Sequence, residues 1–191
     1  MIINKTHRLI IIFLPFVIFF TSSALYAQPK SFEESQIKAV FLYNLTNFIS
    51  WPPGVFKSAD PYFRICILGN DPFNGFLDKI VKGEKVDNKS IKIKKIKATN
   101  SLSECNILFI NHSYVKKVKH LLGPGKLYKI LTVSNYEDFA MDGGMVNLIN
   151  KKGRVKIEIN ADLVSKAGFV ISSKLLKIAA IVKANDPAEN K

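Results

Sequence analysis

The residues able to do chemistry in this 191-residue chain are few and scattered. Two cysteines, Cys66 and Cys105, can form one disulfide in an oxidising compartment or stand as two buried thiols. They do not form the Cys-x-x-Cys arrangement of a redox-active pair. His112 follows the apolar run Asn106–Ile110, at the carboxyl end of an expected strand, where α/β sheets place ligands. Asn70 and Asp71 follow a second such run, Phe63–Leu68. Arg154, beside the Gly153 turn, can hold a carboxylate or phosphate with its planar fork, or stand as a surface strand residue. His120 lies among lysines and reads as a solvated side chain. Asp71, Asp138 and Asp142 read most simply as turn or capping residues.

These residues assemble into no known catalytic pattern. There is no His-x-x-x-His or cysteine set for a metal, no Gly-x-Ser-x-Gly elbow, and no Gly-rich loop ending in Gly-Lys-Ser/Thr. No metal, no cofactor and no enzymatic activity are expected.

The elements that must position these residues follow from spacing. Ile37, Val40, Phe41, Leu45, Phe48 and Ile49 repeat at helical intervals over 33–50, and Trp51-Pro52-Pro53-Gly54 stops that helix. Phe63–Leu68 reads as a short strand and Phe73–Val81 as a helix ended by Gly83. Ile91-Lys92-Ile93-Lys94 alternates like a strand with one wet face, and Lys95 predicts a bulge or strand end. Asn106–Ile110 reads as a strand covered on both sides, Tyr114–Leu122 as a helix stopped by Gly123-Pro124-Gly125, and Ile130–Val133 as another buried strand. Gly144–Ile149 and Arg154–Ile159 predict a hairpin around Asn150–Gly153. Asn160 is placed to cap a helix over 161–166. Leu175, Ile178, Ala179 and Val182 predict a closing helix, with 185–191 fraying.

Strands alternating with helices predict one α/β domain, a layered sandwich with a mostly parallel sheet and a late antiparallel hairpin.

The N-terminus reads as a targeting segment. Lys5, His7 and Arg8 precede the apolar stretch Leu9–Phe20, and small residues lead to Ala27-Gln28. This is the pattern of a secretory signal peptide, cleaved after Ala27, with Ala24 as the competing site. An uncleaved anchor over Leu9–Tyr26 is the other reading. The expected organisation is therefore a signal peptide at 1–27 and one domain at 28–191. The formal charge of +13 first suggests nucleic acid. Removing Lys5 and Arg8 leaves 26 basic residues against 15 acidic ones, and only Arg64 and Arg154 among them are arginines. Export and this lysine bias argue against a nucleic-acid partner.

With the elements in place, a family resemblance emerges. Phe48-Ile49-Ser50-Trp51-Pro52 resembles the opening motif of the YfiR-like family of periplasmic proteins. Arg64–Phe73, Cys105–Ile110, Leu131–Ser134, Phe139–Asn147, Val155–Asn160 and Ser172–Lys177 are similar to its later motifs, in order. The resemblance spans about 33–183. It implies a periplasmic α/β sandwich without enzymatic activity, which binds and represses the sensor portion of an inner-membrane diguanylate cyclase. Release then raises cyclic di-GMP and promotes biofilm formation. It also implies sequestration by an outer-membrane lipoprotein partner and a capacity to form a homodimer. The Cys66–Cys105 pairing matches a family disulfide, whereas a second cysteine pair found in some members is missing here.

Two candidate sites follow. Phe48, Trp51, Pro52 and Phe56 could form an apolar partner surface, or Trp51 could close the core over the first helix. Asn70, Asp71, His112 and Arg154 would serve the alternative reading, a periplasmic small-molecule-binding protein without a cyclase partner. The lysine-rich segments 79–97 and 116–129 could steer an acidic partner or sit near anionic headgroups, or simply be solvated.

Overall fold

The first element among the described residues is helix α1 (Lys30–Phe48), whose Ala39, Leu42 and Leu45 recur on one face and are fully buried. A computed structural model describes residues 30–56, 60–122, 127 and 129–185. The expected signal peptide, the helix stop at 123–125 and residues 186–191 lie outside them. After α1 come β1 (Ile49–Ser50), β2 (Tyr62–Leu68), α2 (Phe76–Ile80), β3 (Lys85–Val86) and β4 (Lys89–Ile96). A 3-10 turn over Thr99–Glu104 leads to β5 (Ile107–Ile110), α3 (His112–Val118) and β6 (Leu131–Ser134). The chain continues through β7 (Val146–Lys151), β8 (Arg154–Asn160), α4 (Ala161–Lys166), β9 (Val170–Ile171), α5 (Ser173–Leu176) and β10 (Ala180–Val182).

Eight strands form one sheet in the order β10-β8-β7-β6-β5-β2-β4-β3. All neighbours are parallel except β7–β8 and β3–β4. This is the mostly parallel α/β sandwich with a late hairpin that the alternation of elements implies. Strand parity explains its two covered faces. Phe63, Ile65, Ile67, Ile107, Phe109, Leu131 and Val133 join α1 in one core. Cys66, Leu68, Leu108 and Ile110 face the other way, into a second core with Val115, Val118 and Phe139.

Two local expectations are sharpened. The break in alternation at Lys95 and Ile96 marks the strand end and not a bulge: β4 stops at Ile96 and pairs with β2 residue for residue from Ser90 to that point. Ile96 falls on the opposite face because that face is itself buried, in the second core. The closing helix is cut short, to α5 alone. Leu175 is buried in α5, but Ile178 is 58% exposed and Ala180–Val182 pair with β8 as an edge strand. Ile181 and Val182 are β-branched, and the free edge of β8 satisfies their backbone better than a half-apolar helix would.

The hairpin is tighter than expected. Lys151 pairs with Arg154, leaving Lys152 and Gly153 as a two-residue turn. Both have positive φ, 54° and 78°, as the twist of a two-residue hairpin requires. Gly144 has a different role: a Cβ there would lie 2.2 Å from the ring of Phe139, which fills that space.

Candidate functional site

The first candidate group surrounds Trp51. Its ring meets Phe63 edge-on at 5.0 Å and Phe169 at 5.3 Å, with Phe56 at 6.1 Å. Phe48, Trp51 and Phe56 are half-buried and pack against the core beneath α1. Trp51, Pro52 and Phe56 also line an open groove of about 550 Å3 with Val86 and Asp87. The indole Nε1 is buried and has no hydrogen-bond partner. Replacing Trp51 by Phe removes that unpaired donor while keeping most ring contacts. Trp51→Phe is therefore expected to change stability by less than about 1 kcal/mol, and Trp51→Ala to cost roughly 3 kcal/mol, measured by urea unfolding.

Asn70, Asp71 and His112 lie at the carboxyl ends of β2 and β5, adjacent strands of the sheet. The Asp71 carboxylate and the backbone groups of Asn70 and His112 help to hold these strand ends together. Asn111 Nδ2 donates to the Asn70 carbonyl at 3.0 Å, and Asn111 Oδ1 accepts from Ser113 N–H, capping α3. The His112 N–H donates to Asn135 Oδ1 at 2.9 Å. Asp71 Oδ1 accepts from Phe73 N–H at 2.8 Å, and its other oxygen pairs with Lys95 at 2.8 Å. That hydrogen bond and the carboxylate charge hold the Lys95 ammonium above its ordinary pKa.

Arg154 shares this edge of the sheet but stands apart. β8 lies three strands beyond β5, about 14 Å across the sheet. β7 also runs on for four residues past its pairing with Ser134, so the hairpin projects about 13 Å beyond β6. Arg154 lines an open groove with Glu137, Asn150, Lys151, Lys152 and Lys156, which contains none of the other three candidates. The structure thus brings Asn70, Asp71 and His112 towards one another and leaves Arg154 in a separate basic setting.

One feature escaped the sequence reading. Beneath residues 135–145, the second face of β6–β7–β8 is polar yet buried: Thr132, Ser134, Asn147, Glu158 and Asn160 are each at most 6% exposed. Ser134 Oγ donates to the Ile110 carbonyl at 2.7 Å, and Thr132 Oγ1 accepts from Met145 N–H. Asn147 Nδ2 donates to the Glu137 carbonyl and to Glu158, whose other oxygen takes the Lys151 ammonium at 2.7 Å. This bond keeps Lys151 protonated above its ordinary pKa. Asn160 Nδ2 donates to the Ala140 carbonyl, while its Oδ1 caps α4 through Leu163 N–H at 3.0 Å. The alternation of polar residues in Thr132/Ser134 and Glu158/Asn160 was the available signal. Asn160→Ala should cost about 2–3 kcal/mol, since it removes a cap and leaves a buried carbonyl unpaired. A urea titration would measure it.

Cys66 and Cys105 are joined as a disulfide that closes 39 residues of chain. A third groove, of about 310 Å3, opens at the amino ends of the parallel strands between Phe56, Tyr62, Asn106 and Ile130. Among the described residues no three His, Cys, Asp or Glu side chains gather as a metal site, and no helix is long and apolar enough to cross a membrane.

The chain is a member of the YfiR/HmsC-like family, whose sequence model matches residues 35–180. No curated protein matches it.

Proposed function

We propose that the protein is a non-enzymatic periplasmic regulator that binds and represses the sensor portion of an inner-membrane diguanylate cyclase. The observation that carries this reading is the family match over residues 35–180. In this reading residues 1–27 direct export and 28–191 form the working domain. Cyclic di-GMP output rises when the repressor is withdrawn by an outer-membrane lipoprotein, and the chain has the capacity to form a homodimer. The lysine excess supports contact with acidic surfaces outside the cytoplasm. The groove at Trp51, Pro52 and Phe56 is a candidate contact surface for that partner.

Affinity capture with the exported, tagged chain tests the proposal. Solubilised membranes should yield a membrane-spanning protein with a cytoplasmic cyclase domain. Recovery of no membrane signalling protein, together with a melting temperature raised by a small periplasmic metabolite, would sink this reading in favour of a small-molecule binder.

A further inference from the structure

The β7–β8 hairpin carries a charge pattern that neither core nor turn requires. Lys151 is tied to Glu158, but Lys152, Arg154 and Lys156 are exposed and have no acidic partner among the described residues. Arg154 and Lys156 are two positions apart on one strand, so they project from the same face about 6.8 Å apart. Together with Glu137 and Asn150 they line an open groove of about 770 Å3.

The strand edge beside them is also open. β10 pairs with β8 only through Glu158, Ile159 and Asn160. Along 154–157 no strand pairs with the outer edge of β8 among the described residues. Such an edge offers backbone donors and acceptors to any extended chain. Cations on an edge discourage pairing with basic or apolar strands. They do not discourage an acidic one.

We propose that this hairpin docks an acidic, extended segment of the protein's partner, added as a strand along 154–157. Its carboxylates would stand at alternate positions, matching the two-residue spacing of Arg154 and Lys156. Cross-strand neighbours lie about 5 Å apart on the same face, where opposite charges attract. A lipid surface fits less well, because the tip from Asn150 to Arg154 has no apolar or aromatic side chain to insert. The partner's identity rests on the regulator reading above; the chemistry of the site does not.

The test uses the full chain and two labelled peptides of one composition, followed by fluorescence anisotropy. One has glutamates at alternate positions in a β-prone sequence; the other has them contiguous. The alternating peptide should bind about tenfold more tightly. Arg154→Ser with Lys156→Ser should remove that preference without moving the melting temperature, and added salt should weaken binding. Equal affinity for the two peptides, or undiminished binding by the double variant, overturns the proposal. So does tighter, hairpin-dependent binding to phosphatidylglycerol vesicles. In the membrane capture, equal recovery of the cyclase by the double variant overturns the hairpin assignment and leaves the regulator reading intact. Absence of any cyclase with the unaltered chain overturns that reading, and the peptide comparison still decides the hairpin.

Discussion

Removing the Cys66–Cys105 disulfide is expected to destabilise the domain by about 4 kcal/mol, the chain-entropy value for a closed loop of this length. The bond joins β2 to Cys105, two residues ahead of β5, its parallel neighbour, and both cysteines lie inside the second core. Cys66 is fully buried and Cys105 is 4% exposed, so the bridge is shielded in the folded state and acts chiefly by restricting the unfolded chain. A double change to alanine leaves the sheet pairing and Arg64–Asn106 bond in place. For a domain of this size the melting temperature should fall by roughly 8–16 °C. Thiol reductant should reproduce the shift once the protein has been unfolded and refolded. A loss below about 1 kcal/mol in urea unfolding would show that the unfolded chain is already held compact without the bridge.

The second large effect is expected at Phe109. It lies in β5, near the middle of the sheet, and is fully buried in the core beneath α1. Its ring meets Phe73 at 4.9 Å and 63°, fastening the turn before α2 to the sheet. Phe109→Ala should cost about 3–5 kcal/mol, the range for emptying a phenylalanine site in a close-packed core. That is a large part of the 5–15 kcal/mol typical of a whole domain. Phe109→Leu should cost less than half as much, because it restores most of the volume. Chemical denaturation with an unchanged slope would separate lost stability from a changed unfolded state. Equal costs for alanine and leucine would mean that the ring contact with Phe73, rather than volume, holds this region.

Much of the fold was legible because strand parity is written in residue type. Phe63–Leu68 and Asn106–Ile110 are apolar at nearly every position, which only a sheet covered on both faces requires. The Asn160 cap and a hairpin with its turn at Gly153 are readable from their chemistry, though the two-residue tightness of the turn is not. The last segment was not, because Leu175, Ile178, Ala179 and Val182 fit helical spacing as well as an edge strand. Its fate depends on the unpaired edge of β8, a tertiary feature that no local window contains. Ile96 marks the end of β4 as its break in alternation predicts, but its burial depends on a second core assembled from β2, β5 and α3.

The candidate site was less legible than the fold. Asn70, Asp71 and His112 are legible from their position after strands, and in the structure the Asp71 carboxylate and the backbone groups of Asn70 and His112 are engaged in turns and caps. Arg154 was found from its rarity. Its basic neighbours gain significance only once the hairpin is seen to project beyond β6 and to leave part of β8 unpaired. The Asn147–Glu158–Lys151 chain, with Asn147 and Glu158 buried, has only the alternation of Glu158 and Asn160 as a local signal, since its members meet through pairing across β7 and β8.

The most direct test of the regulator reading is cyclic di-GMP measured in cells that lack the gene. Loss of the chain should raise cyclic di-GMP and surface attachment. Residues 1–191 should restore both to the starting level, whereas 28–191 confined to the cytoplasm should restore neither. Unchanged cyclic di-GMP on deletion, or full restoration by the cytoplasmic form, would contradict repression from the periplasm.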